Sequence, residues 1–193
     1  MNLHVYLQTS PQGQAVDNGI YTRTYAPATF QGVSLTQQAE TTPGSPIQTN
    51  HYYLVGNGAR TYYGGEVFSA GTLVLRDVNS PPYAETIGLS GSESVNYVDT
   101  PVAPTSGGAS TSVSIDRAYV ARETVGLKNG KVFSNACHYH VTQKLTNPAM
   151  TSTTIVDDWL APGVGLVKSV ANNGGAQIVT RELESATVGG KSY

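Results

Sequence analysis

The residues best suited to chemistry are Cys137-His138-Tyr139-His140. On a β-strand, His138 and His140 share one face, with side chains about 6–7 Å apart. Two imidazoles at that spacing can hold a metal if a neighbouring strand supplies another ligand. Asp157, on the strand expected to lie beside them, would be that ligand, so His138, His140 and Asp157 form the candidate metal set. Cys137 and Tyr139 face the other way and cannot join it. The plainer reading is two surface histidines beside a buried Cys and Tyr.

Other chemistries find less in the chain. Asp157 and Asp158 are adjacent, so in a strand they point to opposite faces and do not form a paired-carboxylate acid and base. A calcium loop would need an Asp-x-Asp-x-Asp spacing that is missing. There is no Gly-x-Ser-x-Gly elbow, and Gly88-Leu89-Ser90-Gly91 reads as a turn. No Gly-rich loop opens a helix to cradle phosphate. Cys137 reads as a small buried hydrophobe in mid-strand. As the single cysteine it excludes an internal disulfide. No catalytic residue, enzymatic activity or cofactor is expected. The tyrosines, among them Tyr21, Tyr25, Tyr52, Tyr53, Tyr62, Tyr63, Tyr97 and Tyr119, lie in or near expected strands. They suit cross-strand pairing, or stacking against a flat ligand.

The elements that must position these residues are strands. No segment sustains an i, i+3, i+4, i+7 apolar pattern with caps. Short β-branched and aromatic runs alternate with turn signals: Pro43-Gly44, Gly56-Asn57-Gly58, Lys128-Asn129-Gly130, Asn147-Pro148 and Asn172-Asn173-Gly174-Gly175. Ile20 to Tyr25 is a strand that Pro27 should end. Asp77 to Tyr83, with its two prolines, reads as a rigid loop, and Gly189 to Tyr193 as a loose tail. The pattern predicts an all-β chain, an antiparallel sandwich or curved half-barrel with long strands and Gly/Pro/Asn turns. Residues 1–193 form a single β domain, with a subdomain break conceivable only near 101–110 and residues 1–10 forming an N-terminal strand or arm.

Composition narrows the function classes. The chain has 193 residues, 39% hydrophobic, but only 12% are charged, about half of the usual share of roughly 25%. Net charge is −2 and no Lys/Arg cluster occurs, which argues against nucleic acid as a partner. No apolar run approaches the roughly 20 residues of a transmembrane helix. The chain as given carries no leader signature, so export would require its signal to have been removed. Low charge also weakens repulsion between copies and permits association.

The stretch Thr151 to Val170, TSTTIVDDWLAPGVGLVKSV, reads as two strands joined by a tight corner at Pro162-Gly163, with Gly165 just beyond. Trp159 would pack over the turn. Together with Ala118 to Val125 (AYVARETV), Val132 to Cys137 (VFSNAC) and Glu182-Leu183, this corner resembles a loosely defined group of uncharacterised bacterial secreted or lipoprotein-like β-proteins. These share a Trp-x-Ala-Pro-Gly-Val-Gly-Leu-Val-Lys C-terminal corner. The resemblance covers about residues 112–186. It departs from the group's pattern at Lys128-Asn129-Gly130-Lys131-Val132-Phe133, where the group has Pro-Ala-Gly before Thr-Phe. It implies an extracellular or cell-envelope location and a curved antiparallel sheet, with no catalytic residues to carry over. Trp159, Pro162, Gly163 and Gly165 then read as architecture.

Two functions follow as expectations. The first is a non-enzymatic structural protein that self-associates through sheet edges or an N-terminal strand, with Leu3, Val5 and Leu7 as the donor. The alternative is a monomeric envelope protein that holds a lipid-like or other apolar ligand, of unknown identity, in a curved sheet.

Overall fold

The computed structural model describes residues 1–9, 13–42, 44–104, 108–173 and 177–193. No helix occurs among them. The first strands are β1 (Asn2–Gln8), β2 (Val16–Phe30), β3 (Val33–Thr41) and β4 (Ile47–Gly56). Then come β5 (Ala59–Ser69), β6 (Thr72–Thr86), β7 (Ser92–Ala103) and β8 (Thr111–Gly126). The last barrel strands are β9 (Val132–Thr146), β10 (Thr151–Ala161), β11 (Gly165–Asn172) and β12 (Ile178–Ser185). A two-stranded hairpin, β13 (Thr187–Val188) and β14 (Lys191–Ser192), ends the chain.

Each of β1 to β11 pairs antiparallel with the next strand, and β1 pairs with β12 as well as with β2. The twelve strands therefore close into a barrel rather than a sandwich, and the curvature expected of a half-barrel continues round to full closure. The reason is the right-handed twist of consecutive antiparallel strands, which curls a long meander until its ends meet. The expected free arm is the strand that completes the closure. Leu3 lies opposite Leu183 on one side and Tyr21 on the other, and Leu3 is fully buried. Val5 is buried and Leu7 half-buried, so this segment has no open edge to donate.

Three other expectations are corrected. Pro27 does not end β2, which runs on to Phe30. Beyond the Met1–Arg23 backbone pair, β2 has only β3 beside it, so a missing N–H costs no second ladder. Residues 77–83 belong to β6, and the prolines sit in a bulge where the β5 register jumps from Tyr62–Tyr83 to Gly64–Val78. The C-terminal tail is pinned: Ala186 and Tyr193 exchange backbone hydrogen bonds of 3.2 and 2.9 Å. Of the expected link at 101–110, residues 101–103 belong to β7, and the remainder joins β7 to its paired neighbour β8 within one sheet. Its residues 105–107, like Pro43, residues 10–12 of the first connection and Gly174-Gly175 of the last turn, lie outside the described residues.

The β8–β9 hairpin is the longest, and its turn reaches past β10 and β11 to β12. The Lys128 N–H donates to Glu182 Oε2 at 2.8 Å, and the Asn129 amide to the Leu183 carbonyl at 3.0 Å. The main apolar cluster gathers there: Leu3, Val125, Leu127, Ala136, Val167 and Leu183. Smaller clusters form around Phe30, Leu35 and Tyr52, and around Tyr97, Val113 and Ile115.

Strand alternation assigns the two faces of the wall. Across β7 to β10, one row of partners carries Asn96, Ser114, Lys144 and Thr153, and another Ser94, Asp116, Thr142 and Ile155. These point outward and are mostly polar, unlike the apolar band of a lipid-facing barrel. The alternate residues, among them Arg117, Val141, Val156 and Asp158, face the interior.

Removing the Leu3 side chain should cost about 2–5 kcal/mol, because Leu3→Ala opens a cavity at the closing seam. Leu54→Ala, on an exposed site, should cost about 0.5 kcal/mol or less. Urea denaturation of both variants measures the contrast.

Candidate functional site

The barrel encloses a cavity of about 700 Å³, lined from nearly all round its wall. Two other depressions, of about 520 and 430 Å³, each draw on a few neighbouring strands. A barrel of about eight strands fills its interior with side chains, and one of twelve leaves room. Val141, Val156, Leu160 and Leu166 of β9 to β11 give the lumen an apolar patch, interrupted by Asp158 and bordered by Arg117, the cross-strand partner of Val141. The rest of the lining includes Arg23, Arg60 and Arg181 with Tyr25, Tyr53 and Tyr62. The C-terminal hairpin contributes Thr187, Val188 and Gly189 at one end.

Two of these arginines are committed to carboxylates. Arg23 Nε lies 2.9 Å from Glu40 Oε1, an ion contact whose angle falls short of a hydrogen bond. Arg117 Nη1 donates to Glu93 Oε1 at 3.1 Å and to the Thr86 carbonyl at 2.8 Å. Burial pushes the Glu40 carboxyl up. The nearby His51 imidazole, the Arg23 charge and the Tyr21 hydroxyl outweigh burial and hold it at about 2.

Arg60 and Arg181 differ. Arg60 lies over the Tyr53 ring at 4.8 Å and donates to the Tyr62 hydroxyl at 3.1 Å. Its Nε is buried with no hydrogen-bond partner. Such an orphan donor costs about 1–3 kcal/mol. Arg181 lies 5.5 Å from the Tyr21 ring centroid and makes no ion pair with a described residue. Two half-buried carboxyls share the lumen. Burial raises Glu85, with the nearby charges of Arg117 and Arg60 opposing. Burial also raises Asp158, opposed by Ser169 and by the charges of Arg23, Arg117 and Arg181. Asp158 thus lies within electrostatic reach of three guanidiniums without an ion-pair contact to any of them.

Tyrosines brace this wall. Tyr53, Tyr62, Tyr83 and Tyr97 form a ladder across β4 to β7, with successive ring centroids 5.7, 4.9 and 4.2 Å apart. Cross-strand pairs of this kind stiffen a sheet. Farther along the same wall, Asp77 lies against the bare backbone of Gly65, where a Cβ would come within 3.4 Å of its carboxylate. A Cβ on Gly64 would lie 2.3 Å from the Asp77 carbonyl, so this approach requires glycine. The Asp99 carboxyl neighbours that of Asp77. The Asn79 amide, assigned with its nitrogen toward Asp99, donates to Asp99 Oδ1 at 3.2 Å. Burial and then the Asp77 carboxyl push the Asp99 carboxyl up to about 7, and His51 opposes them.

The sequence-predicted set lies on the opposite, outward face. Register places Asp157 beside His140 and Trp159 beside His138. Asp157 Oδ1 sits 3.0 Å from His138 Nε2 and 2.9 Å from His140 Nδ1, and Glu123 Oε1 sits 2.7 Å from His138 Nδ1. The three residues do meet, as a hydrogen-bonded cluster in which carboxylates engage the ring nitrogens. Among the described residues, no group of three or more His, Cys, Asp or Glu side chains is arranged to hold a metal ion. The half-buried Cys137 is on the other face. Burial would raise Asp157, but the bonds from His140 and His138 bring it below its ordinary value.

Trp159 stacks on the His138 ring, with centroids 4.4 Å apart, in addition to packing on the main apolar cluster. The corner closes through the Val164 N–H to the Ala161 carbonyl at 3.2 Å. Gly163 and Gly165 take φ of +74° and +92°, a region L-residues avoid, while exposed Pro162 opens the turn. The lumen groups Arg60, Arg181 and Glu85 were not singled out from the sequence. Their only signal is a charged residue at an alternate strand position, as in Ile178-Val179-Thr180-Arg181, and alternation does not say which face is enclosed.

No protein-family model matches the chain, and no curated protein matches it. Among solved structures it is similar to a candidate exported protein with a YmcC-like fold from Bacteroides fragilis. That pair has 14% identity and a TM-score of 0.36, covering 95% of this chain and 93% of the other. It is also similar to a candidate lipoprotein from Parabacteroides distasonis, at 12% identity and a TM-score of 0.37, covering 95% and 92%. Neither carries a ligand or an activity to this chain.

A carboxyl raised by burial binds its proton more tightly folded than unfolded. Its presence therefore lowers stability as pH rises from about 4, the ordinary carboxyl range, through about 7. Asp99→Asn keeps a neutral donor and acceptor between Asp77 and Asn79. It should raise Tm at pH 8 by a few degrees and change it little at pH 4, as read by thermal melts at both pH values.

Proposed function

We propose that this protein is a non-enzymatic binding protein of the bacterial cell envelope or extracellular space that holds a small amphipathic ligand inside its barrel. The observation that carries this reading is the lumen of about 700 Å³, within the range of small-molecule sites and lined by both apolar and charged side chains. An apolar wall takes a hydrocarbon or ring system, and the facing polar groups fix its orientation. The lumen carboxyls are either paired with arginine or shifted toward their neutral form by burial, which suits holding a ligand better than turning one over. Low charge and the resemblance of residues 112–186 to secreted β-proteins support the location. Self-association through β1 finds no support in a strand paired on both sides.

The neutral dye N-phenyl-1-naphthylamine tests the reading. Wild-type protein should enhance its fluorescence saturably, at one dye per chain. Val156→Trp, which fills the apolar side of the lumen, should abolish the enhancement. Near-UV circular dichroism checks that the barrel remains folded. A wild-type protein that leaves the dye dark, or a filled lumen that binds as before, would sink the proposal.

A further inference from the structure

Resting on the lumen-binding reading, we infer that the ligand is acidic: a single-chain amphiphile whose carboxylate or phosphate head is received by Arg60 and Arg181. Four guanidiniums line the cavity, and their engagements are unequal. Arg23 and Arg117 are matched by Glu40 and Glu93. Arg60 faces Glu85 across the β5–β6 ladder without an ion-pair contact, and its Nε is a buried donor lacking an acceptor. Arg181 lines the same cavity and is held by the Tyr21 ring rather than by a carboxylate.

Both side chains line the cavity, held by aromatic contacts, and neither is matched by a carboxylate. An oxyanion supplies the acceptors a guanidinium needs, often two at once, and a hydroxyl or ether supplies fewer and no charge. Asp158 leaves the role open. It is half-buried within electrostatic reach of Arg23, Arg117 and Arg181, makes an ion pair with none of them, and lies opposite Ser169 across the β10–β11 ladder. The cations thus surround the space instead of collapsing onto the acid. The apolar side formed by Val156, Leu160 and Leu166 shares that space and takes the chain. A carboxylate and a phosphate monoester share this recognition chemistry.

Isothermal titration of the full chain with dodecanoate, dodecyl phosphate and dodecan-1-ol, all below their micellar concentrations, tests the inference. At least one of the two acids should bind tenfold or more tighter than the alcohol, and the tighter acid identifies the head group. Arg60→Gln and Arg181→Gln should each reduce that acid-to-alcohol ratio at least tenfold. Arg60→Lys and Arg181→Lys, which keep the charge, should retain more of it, so a loss through misfolding is told apart from a loss of charge. If the alcohol binds as tightly as both acids, or if the Gln variants keep the ratio, the head-group assignment falls while the lumen reading stands. If none of the three binds, both fall.

Discussion

The backbone pairing of β1 with β12 turns a meander into a container. Its register runs from Asn2–Ser185 to Gln8–Ile178, joining the two ends of the chain. An open sheet of this size would carry two edges of unpaired N–H and C=O groups, an invitation to aggregation. Closing them over so long a chain costs more entropy than a hairpin does, but that cost grows only with the logarithm of loop length. Burial of Leu3 and Leu183 at the seam adds an apolar contribution to the ladder itself. Without this seam the sheet has two faces. With it, one face becomes an interior.

That interior is more polar than a small barrel's would be. Circumference grows with strand number faster than side chains can fill the middle, so a twelve-stranded wall does not pack to a dry centre. The charged groups it encloses are managed in distinct ways. Arg23 and Arg117 are neutralised by carboxylates, Glu85 and Asp158 are driven toward protonation, and Arg60 and Arg181 rest on tyrosine rings. Buried polarity that is only partly satisfied is expensive, and in a stable fold it commonly marks a place where something binds. The tyrosine ladder from Tyr53 to Tyr97 makes the same wall stiff enough to hold these groups in position.

The outward cluster shows what local reasoning reaches and where it stops. Period-two alternation put His138 and His140 on one face and separated Asp157 from Asp158, and the β9–β10 register places Asp157 against both imidazoles. Which nitrogens and oxygens meet, and that Glu123 takes the other side of His138, depends on rotamers and on a bulged β8. Pro27 and the prolines of residues 77–83 read as breaks because proline lacks a donor. The barrel accommodates them where a neighbouring strand is absent or a bulge interrupts the register.

The sequence by itself determined that this chain would be strands and turns, and it placed the corner at Pro162–Gly165. The causes are local: β-branched and aromatic runs, fixed proline φ, and glycine's access to positive φ. Only the tertiary structure decided that the sheet closes, that Leu3 to Leu7 are a seam and not an arm, and that Arg60, Arg181, Glu85 and Asp158 share one enclosed space. Alternation along a strand says that two faces exist. Which of them becomes the inside follows from twist accumulated over twelve strands and from a pairing between opposite ends of the chain, and no local window of residues contains that information.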